Sequence, residues 1–243
     1  MKFALLILAL VFFPVTAPSQ ITIYIAGDST AANKTADKRP ETGWGEMLQE
    51  HFDPAKVKVV NEAQNGRSTK SFIDEGRWQE IVDRLVKGDY VFIEFGHNDE
   101  KQDKPAVYAS PNDYKANLIR FIKDVRAKGA TPVLMTPVSR RKFEGGLIVK
   151  THGEYPAAVK AVGQTQKVSV IDMETRSAGV LSRYGNEGSR KLFLQLKPGE
   201  NKNYPAGVDD NTHFSPLGAS EIAVQVVEGI RESRLPLRKY LIR

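Results

Sequence analysis

Cysteine is absent from the 243-residue sequence. Its absence excludes a disulfide-stapled fold, thiolate-bound zinc, iron–sulfur clusters and a cysteine nucleophile. The sequence also lacks a Walker loop, a dinucleotide fingerprint and a His-Glu-x-x-His motif, so we expect neither a cofactor nor a bound metal. Any covalent catalysis must therefore use a Ser, Thr, Lys or carboxylate side chain.

Long apolar runs are nearly absent too. The longest apolar run extends from Phe3 to Phe13 and is still shorter than the ~20 residues that span a membrane. Lys2 precedes this run, and Pro14 and a small-residue stretch at 17–19 follow it, which is the order of a secretory signal peptide. A buried first strand or helix is the alternative interpretation. We expect residues 1–19 to be a signal peptide and the protein to be exported, either periplasmic or secreted, with no membrane contact after cleavage.

The remaining composition is that of a soluble globular protein, with 41% hydrophobic and 26% charged residues. The formal net charge of +6 comes from 35 Lys and Arg against 29 Asp and Glu, which are mixed along the chain. Because no long basic run is present, the charge indicates an acidic partner only weakly, and we expect no nucleic-acid partner. No linker rich in Pro, Ser or Gly divides residues 20–243, which predicts a single domain.

Strand and helix patterns alternate along the chain. Near-continuous apolar runs occur at 21–26, 57–63, 90–95, 131–137 and 168–173, and they are typical of strands buried on both faces of a parallel sheet. Apolar residues at helical spacing occur at 44–52, 113–128 and 216–231. This alternation predicts an α/β fold, a three-layer α/β/α sandwich with a mostly parallel sheet.

Polar residues stand where three of these strands end and again just before the last helix. Ser29 follows the first strand, Gly66 the second and Asn98 the third, while Asp210 and His213 precede the last helix. Ligands of such folds bind beyond the carboxyl ends of the strands, so we expect these residues to converge. This set of groups suits acyl transfer, since it combines a hydroxyl, a glycine backbone, an amide and an imidazole beside an acid.

Each of these residue types has a role in acyl transfer. Ser29 attacks a carbonyl only if a base removes its proton, and His213 can do so near neutral pH. Asp210, three residues earlier, can accept the other ring N–H and fix the tautomer. The backbone N–H groups of Ser29 and Gly66 and the amide of Asn98 can stabilise the oxyanion, each donor contributing ~10²–10³ in turnover.

Other carboxylates offer alternatives to this assignment. Asp209 competes with Asp210 as the partner of the base, although the spacing favours Asp210. Asp28 and Asp99 could join His97 around a metal ion. Paired aspartates in loops more often accept backbone N–H bonds, and the spacing matches no metal motif, so we expect no metal there.

The other histidines are given no chemical role. His97 could be the base, but we predict that it shapes the loop that presents Asn98. His51 ends a predicted amphipathic helix and His152 stands in a polar stretch, so both are expected at the surface.

The candidate residues belong to four sequence blocks, Gly27-Asp28-Ser29, Gly66, Gly96-His97-Asn98-Asp99 and Asp210-Asn211-Thr212-His213. In order and position these blocks resemble those of the SGNH (GDSL) hydrolase superfamily. Flanking stretches at 43–45, 65–68 and 194–199 are similar to the branch of carbohydrate esterases that contains rhamnogalacturonan acetylesterases. The resemblance implies a flavodoxin-like fold with five parallel strands in the order 2-1-3-4-5.

The same resemblance implies roles for five residues: Ser29 as nucleophile, His213 as base, Asp210 as its orienting partner, and Gly66 and Asn98 as oxyanion donors. It also implies a serine esterase that removes acetyl groups from plant cell-wall polysaccharide, above all pectic rhamnogalacturonan, through an acetyl-serine intermediate and without a cofactor. Xylan or small acyl esters are alternative substrates. A non-catalytic carbohydrate-binding protein on the same fold is an alternative of another class, although it would not need a nucleophile and a base together.

Eight cations follow the first, second and fourth predicted strands, and we call them the rim cations: Lys34, Lys38, Arg39, Arg67, Lys70, Arg140, Arg141 and Lys142. Since these loops are expected at the active-site edge, the rim cations could hold an anionic polysaccharide such as a polyuronide. Solvated loop charges are the alternative interpretation. Trp44, between two glycines, could stack on a sugar ring or belong to the core.

Overall fold

The computed structural model describes residues 20–233 and 235–242, so the signal peptide predicted for residues 1–19 lies outside the described residues. Within these ranges the strands are β1 (Ile21–Gly27), β2 (Val57–Asn61), β3 (Tyr90–Glu94), β4 (Thr131–Met135), β5 (Phe143–Glu144), β6 (Leu147–Ile148), β7 (Ser169–Ile171), β8 (Phe193–Leu196) and β9 (Val208–Phe214). One sheet pairs its strands in parallel in the order β2-β1-β3-β4-β7. This confirms the predicted five-stranded parallel sheet and its 2-1-3-4-5 order, with β7 as the fifth predicted strand.

The helices in the same ranges are α1 (Trp44–Met47), α2 (Thr69–Asp74), α3 (Arg77–Arg84), α4 (Pro111–Ala127), α5 (Tyr155–Gln166), α6 (Met173–Gly188) and α7 (Pro216–Glu232). The predicted helices at 113–128 and 216–231 are α4 and α7. The hydroxyls of Ser110 and Ser215 cap them by accepting a first-turn N–H, and proline follows each cap. The helix predicted at 44–52 is α1 followed by a 3₁₀ helix, Leu48–His51.

Four helices were not predicted from the sequence, namely α2, α3, α5 and α6. The first two are short, with six and eight residues, which leaves little room for a periodic pattern. The other two contain glycine, and Gly185 interrupts α6 with a non-helical backbone. Glycine lowers helix propensity, so tertiary packing determines these segments more than their own sequence does.

Helices cover both faces of the parallel sheet, as the predicted sandwich requires. In β1, Ile23 and Ile25 face a core shared with α1, α6 and α7, whereas Tyr24 and Ala26 face a second core shared with α3, α4 and α5. Successive side chains of a strand point to opposite faces, so burial of both sets explains the unbroken apolar run. No helix of the described residues is both long enough and apolar enough to cross a membrane.

An antiparallel pair, β8 with β9, brings the end of the chain back to the sheet. Phe193 lies opposite Phe214, and the N–H of Thr42 donates to the carbonyl of Phe214 at 3.0 Å. Thr42 lies in the connection between β1 and α1, so this hydrogen bond ties β9 to the segment that follows the first strand. The sequence analysis predicts no strand at 208–214, since Asp and Asn disfavour strands.

Candidate active site

The five predicted site residues lie together at the carboxyl edge of the parallel sheet. Ser29 follows β1, Gly66 follows β2 and Asn98 follows β3, while Asp210 and His213 lie on β9. All five line one cleft of about 390 Å³, which we call the Ser29 cleft. The five residues therefore converge at the edge that the strand-end argument indicated, and β9 supplies the two that come from outside the parallel sheet.

Ser29, His213 and Asp210 form a continuous hydrogen-bonded chain. Oγ of Ser29 is 2.9 Å from Nε2 of His213, and Nδ1 of His213 is 2.7 Å from Oδ2 of Asp210. The other oxygen of Asp210 accepts the backbone N–H groups of Thr212 and His213 at 2.6 and 2.9 Å. Burial opposes ionisation of Asp210, but the hydrogen bond and charge of His213 hold the pKa of that carboxyl below its usual range. An ionised Asp210 accepts the Nδ1–H and leaves the Nε2 lone pair facing Ser29.

The loops after β2 and β3 bring further donors to the cleft. Gly66 has φ +76°, a conformation that glycine adopts without strain, and a Cβ there would meet no atom within 4 Å. The glycine is therefore needed for its backbone angle rather than for space. Asn98 is only 3% exposed, and its amide donates to the carbonyl of Arg67 at 2.9 Å. This hydrogen bond links the two loops that carry the predicted oxyanion donors.

A buried network holds the turn that carries Ser29. Oδ1 of Asp28 accepts the backbone N–H of Thr30, and the hydroxyl of Thr30 lies 2.9 Å from both Oδ1 of Asp28 and Oε2 of Glu94. Burial and the neighbouring charge of Asp28 raise the pKa of Glu94 well above its usual value. A protonated Glu94 donates to the hydroxyl of Thr30, which in turn donates to Asp28. Buried hydrogen bonds thus hold Asp28 and Thr30, the two neighbours of Ser29, in place.

His97 packs against this network and does not lie beside the nucleophile as a base, and neither of its ring nitrogens makes a hydrogen bond within the described residues. Its Nδ1 is 3.3 Å from Oδ2 of Asp28, and burial lowers the pKa of His97 to about 4 although the charge of Asp28 acts in the opposite direction. Ligand-type atoms of Asp28, Glu94 and His97 lie within 4.8 Å of one another. Both oxygens of Glu94 are engaged, by Thr30 and by the N–H of Val138, so the cluster fits a hydrogen-bond network better than a cation site.

The prediction that His152 lies at the surface is wrong. Its side chain is fully buried, its Nε2 is 2.8 Å from the carbonyl of Val138, and its ring packs edge-on against His97 at 4.4 Å between centroids. Nδ1 of His152 lies 3.1 Å from the carboxylate of Glu100. The polar sequence around residue 152 gave no sign of this burial, which arises from long-range packing. His51, at the end of its 3₁₀ helix, is partly exposed.

Trp44 belongs to the core and is fully buried, so it cannot stack on a sugar. The glycines on either side of it have a steric reason. A Cβ at Gly43 would lie 2.2 Å from the carbonyl oxygen of Ala32, and one at Gly45 would lie 2.6 Å from that of Ala31. The close approach lets α1 pack directly behind the turn that carries the nucleophile.

Most rim cations are bound by other side chains of the protein. Lys34 is buried, pairs with Glu41 at 2.8 Å and donates to the carbonyl of Ser29. Arg141 donates to Asn186, Ser189 and Asn211. The remaining pairs are Arg39–Glu46, Arg67–Glu75, Lys70–Asp74, Arg140–Glu100 and Lys142–Glu144.

Two cations of the Ser29 cleft have no carboxylate within 4 Å among residues 20–233 and 235–242. One is Lys38, a rim cation, and the other is Lys101, which the sequence analysis missed. Lys101 stands three residues after Asn98, and this one-turn spacing is the signal that could have found it. Tyr204 also lines the cleft, and its hydroxyl donates to the carbonyl of Lys38.

Comparison with known proteins shows which family and which folds this chain is similar to. A family model described as GDSL-like lipase/acylhydrolase matches residues 25–220. Rhamnogalacturonan acetylesterase RhgT of Bacillus subtilis (strain 168) is 43% identical over 91% of this chain and 94% of its own length. The crystal structure of the Bacillus subtilis protein YxiM superimposes with a TM-score of 0.76 and 26% identity, over 90% of this chain and 58% of that one. An acetylxylan esterase of Geobacillus stearothermophilus has a similar fold, with a TM-score of 0.61 and 20% identity over 89% of this chain and 95% of that one.

Proposed function

The chain belongs to the GDSL-like lipase/acylhydrolase family and is a carboxylic ester hydrolase, and from this premise we propose that it removes O-acetyl groups from pectic rhamnogalacturonan. The observation that carries the chemical part of the proposal is the Ser29–His213–Asp210 chain, with contacts of 2.9 and 2.7 Å. A nucleophile, a base and an orienting acid within hydrogen-bond reach are what acyl transfer requires.

The proposed reaction has two halves. In the first, Oγ of Ser29 bonds to the acetyl carbon while His213 takes its proton. The backbone N–H groups of Ser29 and Gly66 and the amide of Asn98 stabilise the oxyanion of the tetrahedral intermediate. His213 then gives the proton to the sugar oxygen as the C–O bond breaks, leaving acetyl-Ser29. In the second half, His213 deprotonates a water molecule that attacks the acetyl carbon, and acetate leaves as the proton returns to Ser29.

The choice of an acetylated pectic substrate rests on the relatives. The 43% identity to a rhamnogalacturonan acetylesterase extends over nearly the whole of both chains. The similarity to the acetylxylan esterase is a likeness of fold at 20% identity, so it favours xylan less. We also propose that the protein acts outside the cytoplasm, because residues 1–19 have the pattern of a signal peptide.

Release of acetate from acetylated rhamnogalacturonan, acetylated xylan and p-nitrophenyl acetate tests the proposal. We expect turnover of the small ester together with a higher kcat/KM on rhamnogalacturonan than on xylan. A higher kcat/KM on xylan would replace the substrate but leave the chemistry. If no substrate is turned over but one is bound, the protein is a binding module and the proposed chemistry is refuted.

The anionic character of the substrate is a further part of the proposal. Lys38 is exposed, lines the Ser29 cleft and has no carboxylate partner in the described part of the chain, so it can pair with a uronate. We expect Lys38→Met to raise KM on the pectic polymer severalfold, and added salt to reduce the difference. Lys87→Met, an exposed lysine before β3 at the opposite edge of the sheet, is the matched control. Equal KM values for Lys38→Met and Lys87→Met on the polymer would contradict a uronate contact.

A further inference from the structure

The side-chain amide of Asn98 is held at both of its ends. Nδ2 donates to the carbonyl of Arg67 at 2.9 Å, and Oδ1 accepts a hydrogen bond from Nζ of Lys101 at 2.6 Å. A primary amide has two N–H bonds, and Arg67 takes one of them. The second N–H is thus left for a ligand in the Ser29 cleft, which both Asn98 and Lys101 line.

This arrangement specifies which end of the amide faces the cleft. If the amide of Asn98 rotated by 180°, its oxygen would meet the carbonyl oxygen of Arg67 and its NH₂ group would meet the ammonium of Lys101. Both hydrogen bonds would be replaced by repulsive contacts between like charges or partial charges. Lys101 therefore excludes the orientation that would present an oxygen to the developing oxyanion.

The ammonium also acts on the amide electronically. A cation that is hydrogen-bonded to a carbonyl oxygen draws electron density from the amide, and this makes its N–H groups stronger donors. Lys101 has no competing ion pair in the described ranges, and the nearby carboxylate of Glu100 is engaged by Arg140 at 2.6 Å and by His152 at 3.1 Å. The backbone N–H of Lys101 donates to the carbonyl of Asn98 at 3.2 Å, so both residues belong to one turn.

We propose that Lys101 is a positioning residue of the oxyanion hole, which orients and polarises the Asn98 amide through the contact at Oδ1. The proposal rests on the proposed esterase function. It assigns Lys101 to the transition state rather than to substrate binding, because the amide acts on charge that develops only during the reaction. Its effect should therefore appear in kcat and should be the same for a neutral small ester and for a charged polymer.

Steady-state kinetics on p-nitrophenyl acetate test the assignment. We expect Lys101→Met to lower kcat about 10- to 100-fold, less than the loss in Asn98→Ala, and to leave KM within about twofold. Lys101→Arg, which keeps the cation, should recover most of the loss. In the Asn98→Ala background, Lys101→Met should cause no further decrease, because its target is gone. Lys104→Met, an exposed lysine one turn later, controls for the change in net charge.

Three results would overturn the proposal. The first is a further decrease in kcat when Lys101→Met is added to Asn98→Ala. The second is an increase in KM on the polymer with no change in kcat on the small ester. The third is a Lys101→Met variant that is as active as Lys104→Met. The side-chain amide resonances of Asn98 give a second readout in Ser29→Ala protein, which needs no turnover. These resonances should shift in Lys101→Met and not in Lys104→Met. Wild-type protein without small-ester turnover would refute the proposed function, and unshifted resonances would then still overturn the role of Lys101.

Discussion

Oγ of Ser29 lies 2.9 Å from Nε2 of His213, although 184 residues separate the two in the sequence. The contact depends on β1, which ends just before Ser29, and on β9, which carries His213. The hydrogen bond from Thr42 to the carbonyl of Phe214 joins the segments that follow each residue. The tertiary fold therefore brings the pair together, because the two residues belong to sequence blocks that are far apart in the chain.

Ser29→Ala should reduce turnover of p-nitrophenyl acetate to background, because no other hydroxyl lies at His213 Nε2 in the described residues. The side chain is only partly buried and its hydrogen bond to His213 is replaceable by water, so the melting temperature should change little. A serine-directed phosphonate should label the wild type and spare the variant, which mass spectrometry would detect. Substantial turnover by a folded Ser29→Ala protein would exclude Ser29 as the nucleophile.

Asp210→Asn should lower kcat by about 10³–10⁴. The asparagine oxygen would stay on the N–H groups of Thr212 and His213, so its NH₂ group would face Nδ1 of His213, select the wrong tautomer and leave the imidazolium without a negative charge. Asp209→Asn is the matched control one residue away. Asp209 is exposed and lies 3.7 Å from Arg190, and such a surface pair contributes little. Kinetics on a small ester would compare the two. If both variants lost activity to the same extent, the choice of Asp210 as the orienting acid would be wrong.

The sequence predicted those parts of the site that lie at strand ends. Ser29, Gly66 and Asn98 each follow an apolar run, and parallel strands must place their carboxyl ends at one edge. The spacing of Asp210 and His213 gave the third partner directly. Local patterns sufficed here because the geometry of a parallel sheet is the same in any protein that forms one.

What the sequence could not predict depends on contacts between distant segments. The sequence indicates a surface position for His152, but its ring packs against His97. It likewise indicates a solvent-exposed cation at Arg141, but that side chain donates hydrogen bonds to Asn186 and Asn211. Glu94 is the last residue of the apolar strand β3, and only the fold reveals that Thr30 lies next to its carboxyl group. Charge and polarity along the chain do not indicate which partner a side chain meets.

Glu94→Gln should retain both stability and activity, whereas Glu94→Ala should lose both. The glutamine amide can donate to Thr30 Oγ1, and its oxygen can accept the N–H of Val138, as the protonated acid does at 2.9 and 3.3 Å. Alanine instead leaves a cavity and an unpaired Val138 N–H behind the turn of Ser29, which should cost on the order of 2–4 kcal/mol. Urea unfolding and small-ester kinetics measure the two effects. If glutamine proved as damaging as alanine, Glu94 would have to be ionised in the folded protein.

Asp99→Asn should make the stability of the protein less sensitive to alkaline pH. Oδ1 of Asp99 accepts the backbone N–H and the hydroxyl of Thr69, while Oδ2 is buried without a partner among the described residues. Burial raises the pKa of Asp99 to about 7, against the effect of the Thr69 hydrogen bonds. An asparagine oxygen can accept the same two bonds, and its neutral NH₂ group replaces the protonated oxygen.

The sign of the pH dependence follows from the raised pKa. Between about pH 4 and pH 7 the folded protein holds a proton on Asp99 that the unfolded chain has released, so the free energy of unfolding falls as pH rises through this window. Above it, the wild type carries an uncompensated buried charge. Asp99→Asn removes this decline. Relative to wild type, the free energy of unfolding of the variant should therefore rise by on the order of a few kcal/mol between pH 4.5 and pH 8.

Urea unfolding of the two proteins at both pH values measures this gain, because the titration of groups they share cancels in the difference. Asp103→Asn, an exposed aspartate four residues away, makes the same change in net charge and should show no such gain. If wild type and Asp99→Asn changed in parallel from pH 4.5 to pH 8, Asp99 would be ionised in the folded state throughout. The carboxylate would then have to be stabilised by Thr69 more strongly than burial destabilises it, and the loop after β3 would be held by a buried charge rather than by a neutral acid.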